Sequence, residues 1–143
     1  MITAEEMVMF LIIPEMDASA RDPKNLTGSF KSLIVWQRSV ELSLAIYKLT
    51  AAFPDSEKFG LTNQLRRASV SVASNIAEGY GRLTRGEYVL FLGHARGSNC
   101  ELQTQLVIAG GLGMGSVNEL KRAEELANEV GRMLVGLMKR LRS

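Results

Sequence analysis

The chain of 143 residues holds one histidine (His94), one cysteine (Cys100) and three prolines. These scarcities exclude most of the familiar site chemistry. A lone cysteine makes no internal disulfide and fits a reducing compartment. Zinc sites of the Cys/His kind need several such ligands, and a di-iron bundle needs two Glu-x-x-His pairs. One histidine supplies neither, so no metal and no cofactor is expected. His94 and Cys100 are six residues apart on what reads as one helix. That offset turns them about 240° from each other at 3.6 residues per turn, so they form no nucleophile–base dyad within one chain. The thiol reads as inert and the histidine as a surface or interface residue. The glycines at 110, 111, 113 and 115 follow a helical pattern and lack the Gly-Lys-Ser/Thr ending of a phosphate loop, so they read as a helix–helix turn. A non-enzymatic protein is the expectation.

Long apolar runs are also missing. The apolar stretch Met7 to Ile13 spans seven residues, is preceded by Glu5 and Glu6 and stops at Pro14. It is too short to span a bilayer and is wrongly flanked for a secretory signal. A cytoplasmic location is expected. Residues 1–29 carry five acids (Glu5, Glu6, Glu15, Asp17, Asp22) and two bases (Arg21, Lys24), with turn and breaker residues after Pro14. They are expected to be a loosely ordered leader. Residues 30–143, expected to be the folded domain, keep fifteen bases and ten acids. That balance fits a polyanionic partner, and it also fits an ordinary solvated surface.

What is present is helical periodicity. The chain is 46% hydrophobic, enough to bury a core. Trp36, Val40, Leu44 and Tyr47 recur at spacings of four and three and define one face of a first helix. Pro54 ends it, and Asp55 or Ser56 can cap the next. Leu61, Leu65, Ala68, Val72 and Ile76 form the second stripe, closed by Gly79 and Gly81. Thr84 with Glu87 fits a capping box for a third helix striped by Tyr88, Phe91, Ala95, Ser98, Leu102, Leu106 and Ala109. Ser116 with Glu119 caps a fourth, striped by Leu120, Ala127, Val130, Leu134, Leu137 and Leu141. Lys139, Arg140 and Arg142 sit near its C-terminus, where the helix dipole favours cations. Four helices with short links predict an all-α, antiparallel up-down-up-down bundle.

The second helix carries a further pattern. Gln64, Arg67, Ser71, Ser74 or Asn75, and Glu78 make a polar seam, and Val70, Ala73 and Ala77 lie opposite the core. A helix apolar on two sides is either central or covered by another subunit. Buried, Asn75 and Glu78 would pair with groups such as Arg82 or a neighbouring copy's Arg67. The alternative is a small-residue helix whose seam faces water. The third helix repeats the doubling with Leu90, Gly97 and Ile108, and together the two argue for self-association. Arg66, Arg67, Arg82, Arg85 and Arg96 fall in these helices and their connection, where a folded hairpin could gather them into one basic patch. Arg66 and Arg85 project from the main apolar stripes and are expected on phosphate. No aromatic residue interleaves with the arginines, so binding would be led by backbone and shape.

The segments Val35-Trp36-Gln37, Phe53-Pro54, Gln64-Leu65-Arg66-Arg67-Ala68, Ser74-Asn75-Ile76-Ala77-Glu78-Gly79, and Gly97-Ser98 with Glu101-Leu102 resemble the bacterial four helix bundle family, also called 23S rRNA intervening-sequence proteins. The likeness covers residues 30 to 141. It implies a homopentameric bundle. Through the related accessory variability protein of diversity-generating retroelements, it also implies RNA binding and an alternative role as an accessory subunit of a reverse transcriptase. The motif block coincides with the polar seam at Gln64, Arg67, Asn75 and Glu78.

Overall fold

Local chemistry sets each helix boundary. The computed structural model describes residues 29–143, so the expected leader lies outside the described residues, Ser29 apart. Helix α1 spans Ile34–Thr50, α2 Leu61–Tyr80, α3 Arg85–Gly111 and α4 Val117–Arg142, with 3-10 turns at Phe30–Ser32 and Asp55–Glu57. No strand occurs among the described residues. Both hydroxyl N-caps form at the expected places, each as the hydroxyl half of the box. Thr84 Oγ1 accepts from the Glu87 amide at 3.2 Å, and Ser116 Oγ accepts from the Glu119 amide at 3.4 Å. Asp55 and Ser56 do not cap α2: they belong to the 3-10 turn. Gly60 holds the N-cap position, and Glu57 Oε2 accepts from the Leu61 amide at 2.9 Å in place of a cap side chain. Gly113 and Gly115, at φ +67° and +77°, make the turn after α3 in a backbone region that costs glycine little.

Cross-links fix the topology. The Ser43 and Ser69 hydroxyls meet at 3.1 Å, and Arg66 Nε donates to Thr50 Oγ1 at 2.9 Å, so α1 and α2 run antiparallel. The Ser71 and Ser98 hydroxyls meet at 2.8 Å between α2 and α3. Asn99 Nδ2 donates to the Ala127 carbonyl at 2.9 Å between α3 and α4. Arg38 pairs with Glu129 at 3.1 Å, and Lys48 with Glu119 at 3.9 Å, between α1 and α4. Helices α1 and α3 each pack on α2 and α4, which is the up-down-up-down order.

The stripes expected for α2 and α4 face inward. Leu61, Leu65, Ala68, Val72 and Ile76 are buried, as are Ala127, Val130, Leu134, Leu137 and Leu141, while Leu120 is half-buried against the core. On α3, Phe91 and Ser98 are half-buried and the other five stripe residues are buried. Helix α1 overturns its expectation. Leu44 is 66% exposed and Tyr47 43% exposed, while Trp36 and Val40 are half-buried. The core face is Val35, Ser39, Leu42, Ile46 and Leu49. Both sets repeat at threes and fours, so periodicity alone does not separate them. Ser39 interrupts the true core set, but its hydroxyl donates to the Val35 carbonyl at 2.7 Å and is thereby satisfied inside.

Gly79 shows how tightly α2 and α3 approach. A Cβ there would lie 2.8 Å from Phe91 Cβ and 3.2 Å from the Tyr88 carbonyl oxygen. The last glycine of the Ser-Asn-Ile-Ala-Glu-Gly block is therefore a packing residue, placed where only a hydrogen fits.

Candidate nucleic-acid interface

Antiparallel packing puts the α2–α3 turn and the C-terminus of α4 at the same end of the bundle. Gly93 faces Met138, whose Cε would lie 3.8 Å from a Cβ at Gly93. Arg142 is therefore about level with Val89, and Arg85 lies about 6 Å farther along the axis. This end carries Lys31, Arg82, Arg85, Lys139, Arg140 and Arg142, all exposed, against the acids Glu78 and Glu87. At the opposite end, Lys48, Lys58, Arg66, Arg67, Lys121 and Arg122 are balanced by Asp55, Glu57, Glu101, Glu119, Glu124 and Glu125. The excess positive charge is thus polar along the bundle axis.

The cations at the basic end differ in freedom. Arg82 donates to Glu78 at 2.8 Å and lies over the Phe91 ring, 4.5 Å from its centroid. Arg85, Lys139, Arg140 and Arg142 have no salt bridge among the described residues. The three on α4 stand in its last turn, where the helix dipole holds them favourably but leaves their donors unspent. Planar guanidinium forks with unused donors pair well with phosphate oxygens.

The five arginines singled out in the sequence do not form one patch. Arg66 and Arg67 lie near the start of α2, about 21 Å of helix axis from its end. Arg66 is held inward, donating to Thr50 and lying 4.6 Å from the Tyr47 ring centroid. Arg96 is exposed, three turns into α3. The bases at 139, 140 and 142 complete the basic end with Arg82 and Arg85. The sequence signal for them was the predicted topology itself, since an up-down-up-down order puts the second turn and the fourth C-terminus together. Elsewhere, Glu41, hydrogen-bonded to Arg38, and Glu129 facing it from α4 raise the pKa of that guanidinium above its ordinary value. Arg38 is a partly exposed structural cation that ties α1 to α4.

The polar seam divides in two. Asn75 Nδ2 donates to the Ser71 carbonyl at 2.9 Å and to its hydroxyl at 3.0 Å, and Ser71 reaches Ser98. Asn75 therefore pairs within its own helix and not with the Arg82 of its own chain. Glu78 pairs with Arg82 as expected, but in solvent. Gln64, Arg67 and Ser74 are exposed. Asn63, Gln64, Arg67, Ala68, Ser71 and Glu101 line a shallow cavity of about 320 Å³ between α2 and α3. Arg67 and Glu101 share it without an ion pair among the described residues. His94 is exposed and edge-on to Phe91 at 5.5 Å, and Cys100 is exposed. Among the described residues no group of three His, Cys, Asp or Glu side chains could hold a metal ion, and no helix is long and apolar enough to cross a membrane.

The sequence profile of the 23S rRNA-intervening sequence proteins matches residues 31–136. The chain belongs to the 23S rRNA-intervening sequence protein family. The match contains the whole seam together with Arg82 and Arg85, and it stops short of Lys139, Arg140 and Arg142. The fold is similar to the crystal structure of a protein of unknown function from the S23 ribosomal protein family of Bacteroides thetaiotaomicron. The TM-score is 0.67 at 19% identity, covering 74% of this chain and 99% of that one. No curated protein matches the chain.

Proposed function

We propose that this member of the 23S rRNA-intervening sequence protein family is a non-catalytic, cytoplasmic, homo-oligomeric RNA-binding scaffold that grips RNA by its phosphates at the basic end of the bundle. The observation that carries this reading is the axial asymmetry of charge: six exposed cations against two acids at one end, and a balance at the other. The aromatic rings at that end are half-buried or buried and packed on one another or under Arg82, so the contact is with backbone and carries no base information.

The outer face of α3, where Leu90 is 56% and Ile108 48% exposed, supports self-association. Together with the exposed part of the seam at Gln64, Arg67 and Glu78, this face suits a second copy. A ring of copies with parallel axes places every basic end on one rim. Five copies of a domain with fifteen bases and ten acids carry roughly +25, a strong field for a polyanion.

The test is a titration of structured RNA at two salt concentrations. Wild type is compared with an Arg85→Gln/Arg140→Gln double variant and with Arg66→Gln, and light scattering checks each assembly. Removing one phosphate partner should flatten the salt dependence by about 0.7 of a log unit per decade of salt on a single strand, so the double variant should bind about 25-fold more weakly at 0.1 M salt, for all sequences alike. Arg66→Gln should bind as wild type. Binding that ignores both salt and the two arginines overturns the reading. A mass of 15.7 kDa, that of one chain, at micromolar concentration overturns the assembly.

A further inference from the structure

We propose that two rings of this protein stack back to back through the bundle ends opposite the basic ones. The inference rests on the ring proposed above and adds a second contact to it. Two connections build that end. A Cβ at Gly115 would meet Leu49 Cδ1 at 2.7 Å and Phe53 Cε1 at 3.0 Å, so the turn between α3 and α4 sits on the last turn of α1. The connection from α1 to α2 starts there and runs to Gly60, the N-cap of α2. Both connections put large apolar side chains into solvent. Phe59 is 88% exposed, Leu112 62% and Val117 79%, and none of the three belongs to the core. Exposed apolar groups gathered within a polar rim mark a contact surface.

Charge chooses a second copy as the occupant. The same end carries Asp55, Lys58, Lys121 and Glu124, and none of them has an ion pair among the described residues. An end with acids and bases in balance complements itself. Across a two-fold axis a base of one copy faces an acid of the other, and every such pair forms twice. The basic end repels its own copy, because Arg85, Lys139, Arg140 and Arg142 would meet like charge there. Area decides what holds the contact. Four helices about 10 Å apart present an end of roughly 400 Å². That is half of the ~800 Å² per partner of a stable contact, so two single bundles joined end to end part readily. In a ring with parallel axes every apolar end lies on one rim, and two rings meet through all their copies at once. Five ends offer roughly 2,000 Å² per ring, and each contact holds the others in place. The stack leaves a basic rim on each outer face, so one particle holds two RNA segments on opposite sides.

Light scattering at micromolar concentration compares the full chain with Phe59→Glu/Leu112→Glu and with Leu83→Glu. Phe59 and Leu112 lie in exposed connections. Leu83, 99% exposed in the α2–α3 turn, is the control at the basic end. Far-ultraviolet circular dichroism verifies that each variant folds. The expected wild-type mass is twice that of Phe59→Glu/Leu112→Glu, and Leu83→Glu keeps the wild-type mass. Side views in negative-stain electron microscopy should show two layers for wild type and one for the double variant. Equal masses of wild type and the double variant overturn the proposal. A shared mass of several chains then leaves the ring standing, and a shared mass of 15.7 kDa overturns the ring as well. A double variant that falls to single chains assigns the apolar end to ring closure and overturns the stack. A halved mass in Leu83→Glu puts the contact at the other end and overturns it too.

Discussion

The approach of α2 to α3 at Gly79 can be tested by adding one methyl group. Gly79→Ala puts a Cβ 2.8 Å from Phe91 Cβ and 3.2 Å from the Tyr88 carbonyl oxygen. The first is the root of a buried-side ring and the second is backbone, so neither yields without moving α3. Overpacking of this kind costs about 1–3 kcal/mol. Alanine regains up to about 0.5–1 kcal/mol over glycine in a helix interior, and less here, one residue from the end of α2. The net expectation is a loss of about 0.5–2.5 kcal/mol. At about 4 °C per kcal/mol for a domain of this size, Tm falls by about 2–10 °C. Gly97→Ala is the control. A Cβ there meets nothing within 4 Å, so only the helix preference remains and Tm rises by about 2–4 °C. Thermal melts of the two variants beside wild type, with light scattering on each, measure both signs. A Gly79→Ala protein that melts at or above wild type refutes the packing argument. A Gly97→Ala protein that melts lower and changes mass refutes the open surface at that position.

Glu78→Ala removes one exposed i,i+4 ion pair to Arg82, whose partners are 53% and 41% exposed, and a urea titration should find a change within about 0.5 kcal/mol. Thr84→Ala removes the cap of α3, which accepts the Glu87 amide at 3.2 Å, and the same titration should find a loss of about 1 kcal/mol. Leu42→Ala empties a fully buried position and should cost about 2–5 kcal/mol, whereas Leu83→Ala, at 99% exposure in the α2–α3 turn, should stay within about 0.5 kcal/mol. Equal effects of the two leucine substitutions in thermal melts would contradict the burial pattern.

Helices α2, α3 and α4 were legible in the sequence because their inward stripes alternate with clearly polar or small residues. Helix α1 misled because it is apolar on two sides and the core set contains Ser39, whose satisfaction by its own backbone shows only in three dimensions. Asn99 and Gln105, buried on α3 at 2% and 5% exposure, escaped for a similar reason. A polar residue inside a stripe reads as a flaw until its partner is seen, and Asn99 finds its partner on another helix at the Ala127 carbonyl. Of the arginines, Arg82 and Arg85 were legible as neighbours through their shared turn. Their union with Arg140 and Arg142 spans more than fifty residues and needs the packing of α3 against α4. The separation of Arg66 from them follows from its place near the start of α2, and was open to arithmetic on helix rise.

The order of helix contacts also bears on how the chain reaches this structure. Three of the four main helix–helix contacts join helices consecutive in sequence, and only α1 against α4 closes over a distance. The connections at 51–60, 81–84 and 112–116 are short, so the entropy lost on bringing each pair together is small. Such a chain has low contact order and belongs with the fast folders, on the microsecond to millisecond scale. During synthesis, α2 can find α3 before α4 has been made. The exposed apolar edges of that early hairpin then have their own missing helix as the nearest partner, which shortens the time in which another molecule could take its place.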